Sequence, residues 1–222
     1  MVQTELAYEK FQVKFNDNYE TSKVSVDRGR FVLLANEAQN KLIEIVLDKK
    51  SNDEIRYIQK ILVKDFKIDT PQSKEDADYF KLPDNYFDFS SAYTKASTKS
   101  CTNQKIYLYE IKDDNITIVM QDENQRPSFI AREAPFDFSS NNLVAYKDGF
   151  KHNELFLSYY RYPQQVRLID PEDPESKFHP DFNFEFDEKF VDRIISMAVS
   201  EMKINEENQS FQIKKQQAIN KI

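Results

Sequence analysis

Apolar residues recur at helical spacing toward both ends of this chain and alternate through its middle. The pattern alone therefore predicts helices, then strands, then helices. Ala7, Phe11 and Phe15 fall on every fourth residue, marking a first helix that Thr4 can cap. After the polar turn Asn16-Asp17-Asn18, a second helix is predicted, with Asp27 as N-cap and Val26 and Phe31 as the two halves of a hydrophobic staple. Its apolar stripe comprises Phe31, Leu34, Ala35, Ala38, Leu42, Ile45 and Val46 and ends near Leu47. Ser51-Asn52-Asp53-Glu54 fits a capping box for a third helix, which buries Ile55, Ile58, Ile61 and Leu62.

Residues 66–83, polar and acidic with Pro71 and Pro83, read as a connector. The period then becomes two. Ile106 to Ile111 alternate, Asp113-Asp114-Asn115 turns the chain, and Ile116, Ile118 and Met120 complete an expected β-hairpin. Asp148-Gly149 predicts a second hairpin between Leu143–Tyr146 and Leu155–Arg161, whose last strand has apolar residues on both faces. Asp170 to Asp181, with Pro171, Pro174 and Pro180, reads as an acidic loop. Asp187 then caps a helix carrying Phe190, Ile194, Ile195, Met197, Ala198 and Met202. A final amphipathic segment runs from about Asn208, with Phe211, Ile213, Ile219 and Ile222 apolar. It is too short to hold as an isolated helix and needs packing. The expected fold is α+β: a helical bundle from residues 1–70 and 184–222, with a β-rich hairpin or sandwich part inserted over 71–183.

Composition narrows the function more than the fold. Only Gly29 and Gly149 occur in 222 residues, so no G-x-G-x-x-G, P-loop or G-x-S-x-G motif can be written. The net charge of −7 argues against tight nucleic-acid binding, which needs a basic footprint. MVQTELAYEKF holds no signal-peptide core, and no apolar run approaches the roughly 20 residues of a membrane span, so a soluble protein made in a cytoplasm is expected, without membrane partners. Cys101, the single cysteine, forms no intrachain disulfide and reads as a passive loop residue.

Chemistry-bearing residues are sparse. His152 and His179 lack metal-ligand spacing and read as surface histidines. Asp170, Glu172, Asp173, Glu175 and Asp181 could in principle hold Mg²⁺ for a metal-dependent phage nuclease, the alternative function. A proline-punctuated loop is instead the ordinary setting of a solvated charge run. No catalytic, cofactor or metal residue is therefore assigned. Arg28 and Arg30 stand in the first turn of the second helix, where the macrodipole disfavours cations by about 0.3–1 kcal/mol each. Either they reach into water or they pair with acidic residues of a neighbouring subunit. Gly29 between them has no Cβ, which leaves room for close backbone approach. Arg28, Gly29 and Arg30 are thus the candidate subunit interface.

The segment Val24-Ser25-Val26-Asp27-Arg28-Gly29-Arg30-Phe31-Val32-Leu33-Leu34-Ala35-Asn36-Glu37-Ala38-Gln39-Asn40-Lys41, followed by Asn52 to Lys60, resembles virion proteins of crAss-like bacteriophages. Leu82-Pro83-Asp84-Asn85-Tyr86-Phe87, Ser158-Tyr159-Tyr160-Arg161-Tyr162-Pro163 and Phe186 to Ile195 are similar in the same way. In that order they resemble the head-to-tail connector (adaptor, or ring) proteins of short-tailed phages. The resemblance implies a non-enzymatic virion subunit in a twelvefold homo-oligomeric ring under the portal. Its partners would be the portal and other ring or tail proteins, and DNA would pass through without specific binding. It also implies assembly in the host bacterial cytoplasm and portal docking by the C-terminal segment, Phe211, Ile213, Ile219 and Ile222. An acidic channel wall suits DNA that must slide, because a basic one would hold it.

Overall fold

The computed structural model describes residues 2–17, 25–49, 51–69, 71–111, 115–169 and 181–219, with side chains as far as Ile204. The chain forms two compact units, Met1–Lys60 with Pro163–Ile222, and Ile61–Tyr162.

The first unit is helical: α1 (Thr4–Asn16), α2 (Arg28–Lys49), α3 (Asn52–Ile58) with a 3₁₀ turn after it, and α5 (Glu188–Ile219). The predicted staple is present. Asp27 Oδ2 accepts from the Arg30 N–H at 2.9 Å, and Val26 and Phe31 are both buried. Asp187 caps α5 the same way, taking the Phe190 N–H at 2.9 Å. Thr4 does not cap α1. It is buried, donates its hydroxyl to the Phe182 carbonyl and receives no helical N–H, because Gln3 occupies the cap position. Ala7, Phe11 and Phe15 of α1, the α2 stripe from Phe31 to Val46, and Phe190 to Met202 of α5 form the core. The two C-terminal pieces expected from the sequence are one continuous helix of 32 residues.

The second unit overturns the expected architecture. Its strands are β1 (Leu62–Asp69), β2 (Gln72–Ser73), β3 (Ala77–Lys81), β4 (Tyr86–Ser97), β5 (Gln104–Glu110), β6 (Glu133–Ser139), β7 (Asn142–Tyr146) and β8 (Lys151–Arg161). They make one sheet in the order β1-β8-β4-β5-β6-β7-β3-β2. The sheet curls, so that β1 at one edge also touches β3. Phe80, Leu82, Phe136, Leu143, Leu155, Leu157 and Tyr159 fill its concave side, with Val63, Ile68 and Phe89 packed against them. The fold is therefore mixed α/β with the curled sheet as the core, not a helical bundle that carries a hairpin or sandwich insertion.

Three local differences explain that correction. Strand β1 lies where the third helix and the connector were expected. Val63 and Ile68 both pack on the core although an odd spacing of five would place them on opposite faces of a regular strand. A bulge resolves the conflict: the register shifts between Val63 and Phe66, and Asp65 takes φ 49°. The segment expected as a second hairpin arm is the helix α4 (Ile116–Gln121). It lies in the crossover from β5 to β6, which pair in parallel and cannot be joined by a tight hairpin. Gly149 does adopt a positive φ of 69°, but β7 pairs with β3 and β6 while β8 pairs with β1 and β4. Asp148-Gly149 turns a corner between strands that are not neighbours.

Candidate functional site

The amino half of α2 carries the candidate residues Arg28, Gly29 and Arg30, and the Arg28 side chain bonds within the chain. Arg28 forms a two-pronged ion pair with Glu5 of α1, Nη1 to Oε2 at 2.7 Å and Nη2 to Oε1 at 2.8 Å. Its Nη1 also donates to the Ile169 carbonyl at 3.1 Å, and its guanidinium lies 5.1 Å from the Tyr8 ring centroid. The Glu5 carboxylate offsets the cation that the helix dipole disfavours in the first turn. Arg30 is exposed, with only its backbone N–H engaged, on the Asp27 cap. At Gly29 a Cβ would lie 3.1 Å from Asp27 Oδ2, so what a side chain meets first is the chain's own cap.

Beside this corner, Tyr8 donates its hydroxyl to the Val26 carbonyl at 2.6 Å, and Gln12 both donates to that carbonyl and accepts from the Val26 N–H. About two turns beyond Arg28 on α2, Asn36 pairs both ways with the Val166 backbone, donating at 3.1 Å and accepting at 2.9 Å. Gln39 donates to the Gln164 carbonyl at 3.2 Å. Arg28, Asn36 and Gln39 thus bind residues 164–169 as a strap along α2. Their wide spacing in the sequence, without a nearby partner, gave no signal of this role.

The portal-docking residues Phe211, Ile213 and Ile219 fall on the helical backbone of α5, beyond the described side chains, and Ile222 lies outside the described residues. Asp170, Glu172, Asp173, Glu175 and His179 also lie outside them. Asp181 accepts the Ile169 N–H at 2.6 Å, and among the described residues no three His, Cys, Asp or Glu side chains gather as metal ligands. Cys101 is exposed in the loop between β4 and β5.

His152 departs from the expectation of a surface residue. It is fully buried on β8, where its backbone N–H donates to Asp78 Oδ2 at 2.9 Å. The ring contacts the Tyr146 carbonyl through Nε2 at 3.1 Å and Thr94 Oγ1 through Nδ1 at 2.7 Å. A carbonyl only accepts, which assigns the proton to Nε2 and leaves Nδ1 to accept from the Thr94 hydroxyl. Burial pushes the imidazole below its ordinary range; the Tyr146 carbonyl and Asp78 pull the other way, and Lys147 adds to the lowering. With every polar atom of the ring satisfied and no solvent path to it, this histidine is a structural element of the sheet.

An open cleft of about 400 Å³ beside the end of β5 is lined by Tyr109, Glu123, Arg126, Ser128 and Glu133. The Tyr109 hydroxyl donates to the Gln125 carbonyl, and burial pushes its phenol up. Among the described residues none of the cleft's charged groups, Glu123, Arg126 and Glu133, forms an ion pair.

No protein-family model matches the chain, and no curated protein matches it. Among the described residues no helix is long and apolar enough to cross a membrane.

Proposed function

We propose that this chain is a structural virion subunit, one protomer of a ring that joins a bacteriophage portal to the tail and lines the DNA channel. The observation that carries the reading is the ordered set of segments resembling connector proteins. Those segments fall on the capped start of α2, on α3, on the entry to β4, on the end of β8 and on the capped start of α5. They therefore coincide with the places that set the paths of the chain.

The length of α5 adds support. Phe190 to Met202 pack in the core, and about 25 Å of helical backbone follow. That reach suits a C-terminal arm docking on a portal through Phe211, Ile213, Ile219 and Ile222. The net charge of −7 suits a wall past which DNA slides. The protein acts without catalysis or cofactor, in a closed ring of about twelve copies, the usual connector symmetry, held by a heterologous interface. Its place is the portal vertex of the virion, after assembly in the host cytoplasm.

Mixing the chain with purified portal tests this. Closed rings of uniform diameter in negative stain, with matching sedimentation, are the expected result. A chain that stays monomeric beside portal at every salt concentration overturns the proposal.

A further inference from the structure

The crossover between β5 and β6 ends in a tight loop, residues 128–133, that holds an isoleucine out in water. Ser128 and Glu133 bridge its base with two backbone hydrogen bonds, at 2.8 and 3.2 Å. Ser128 Oγ accepts the Ala131 N–H at 3.0 Å, the Arg132 carbonyl accepts from Tyr107 N–H at 2.8 Å, and Gln104 donates to the Phe129 carbonyl at 2.8 Å. The Phe129 ring packs toward Phe150, their centroids 5.8 Å apart. Ile130 at the tip is 92% exposed.

A lone exposed apolar residue is ordinary. Here it is fixed by a pinned loop, and two exposed arginines close to it in sequence, Arg126 and Arg132, form no ion pair among the described residues. A rigid apolar tip between arginines has the composition of an interface anchor, with its ordering cost already met by the fold.

The same chain displays a matching surface. Leu6, Glu9 and Val13 of α1 and Asp17, its C-cap, lie within one arc and all four are exposed, Leu6 at 43% and Val13 at 62%. Among the described residues Glu9 and Asp17 have no ion-pair partner. Of the two lysines of α1, Lys10 is paired with Glu188 and Asp192 of α5, and Lys14 donates to the Asp192 carbonyl and the Ser196 hydroxyl; Glu5 is held by Arg28. The stripe thus offers two apolar side chains and two carboxylates without an ion pair, against one apolar side chain and two guanidinium groups without one, Arg132 in the loop and Arg126 in the cleft before it, beside Glu123 and Glu133. α2 carries a comparable acidic face at Leu33, Glu37, Glu44 and Asp48, with a single apolar residue.

We infer that the 128–133 loop of one copy docks on the outer face of α1 in a second copy, with Ile130 against Leu6 and Val13 and with Arg126 and Arg132 paired to Glu9 and Asp17. The contact joins two different surfaces, so it propagates from copy to copy and closes into a ring where the rotation allows. This assignment deepens the proposed connector role by naming the two faces that meet.

The test uses the full chain without portal. In a Cys101→Ser background, Ile130→Cys and Val13→Cys proteins are mixed and treated with a short bismaleimide; a cross-linked dimer is expected. Arg126→Glu with Arg132→Glu should weaken self-association at least tenfold in sedimentation, and adding Glu9→Lys with Asp17→Lys should restore it. Circular dichroism checks that the variants, all at exposed positions, are folded. Association unchanged by the arginine reversal, no association of the wild type, or cross-linking to Leu33→Cys in place of Val13→Cys each overturns the inference. Rings on portal that survive the arginine reversal would sink this interface and leave the connector role standing. Cross-linked Ile130–Val13 pairs from a chain that ignores portal would do the reverse.

Discussion

Lys147 Nζ lies 2.7 Å from Oδ1 of Asp78, and the Asp78 side chain is fully buried. The other oxygen of that carboxylate takes the His152 N–H, so one aspartate on β3 holds both ends of the corner that carries the chain from β7 to β8. Lys147 also reaches Ser73 Oγ at 2.7 Å and donates its backbone N–H to the Asp76 carbonyl. A buried ion pair contributes little net stability against an apolar replacement, but breaking it leaves an uncompensated charge. Lys147→Met should therefore cost about 3–5 kcal/mol in urea unfolding. The Asp78→Asn, Lys147→Met double variant should recover part of that, since Asn still accepts from His152. Additive losses would show that the two groups act independently.

His152 gives the sheet unit a pH dependence of predictable sign. An imidazole in the unfolded chain titrates near 6.5, roughly its ordinary value, whereas burial lowers it in the folded protein. Below about 6.5 the unfolded chain binds a proton that the folded chain refuses, so stability falls as the pH drops until the folded value is passed. The loss assigned to this group is read between about pH 7.5 and 5.5. His152→Gln should unfold with a flatter profile over that range, and identical profiles would remove His152 as the cause.

At the mouth of α2, Val at position 29 should crowd the Asp27 cap. Gly29→Val is expected to cost about 1 kcal/mol, the size of a lost N-cap, and Asp27→Ala a similar amount. The two losses should not add, because each acts on the same cap. An additive double-variant cycle, or a Gly29→Val protein with full stability that fails to form rings, would move the role of Gly29 from the cap to the subunit interface.

Removing residues after Gln209 should leave both cores intact, since the buried core residues of α5 from Phe190 to Met202 all precede the cut. The truncated chain should unfold at the same urea concentration but fail to dock on portal. Full docking by the truncated chain would count against the C-terminal arm.

The parts of this fold that sequence reasoning reached are those governed by local rules. The caps at Asp27 and Asp187 and the stripe of α2 each need only neighbours a few residues away. What escaped was decided by distant pairing. Asp65 breaks the alternation of β1, and only the partner strand β8 restores it. Ile116 to Met120 look like a strand because β-branched residues dominate, yet the parallel pairing of β5 with β6 demands a crossover there. For the candidate site the split is the same. The first-turn position of Arg28 was visible, while its partners Glu5 and Ile169 lie far away in sequence. His152 reads as a surface group in the sequence because Asp78 and Thr94, which bond to it in the fold, give no local sign of their proximity.

The bulge at Asp65 also limits how copies of this protein can meet. A sheet with free edges invites strand-by-strand addition, which ends in aggregates and not in closed rings. Here the backbone of β1 swings to the left-handed region at Asp65, between the exposed Lys64 and Phe66, and the opposite edge is the two-residue β2. Neither border of the sheet presents a long straight ladder. Where many copies crowd around one axis, that leaves recognition to side chains and keeps the backbone out of it.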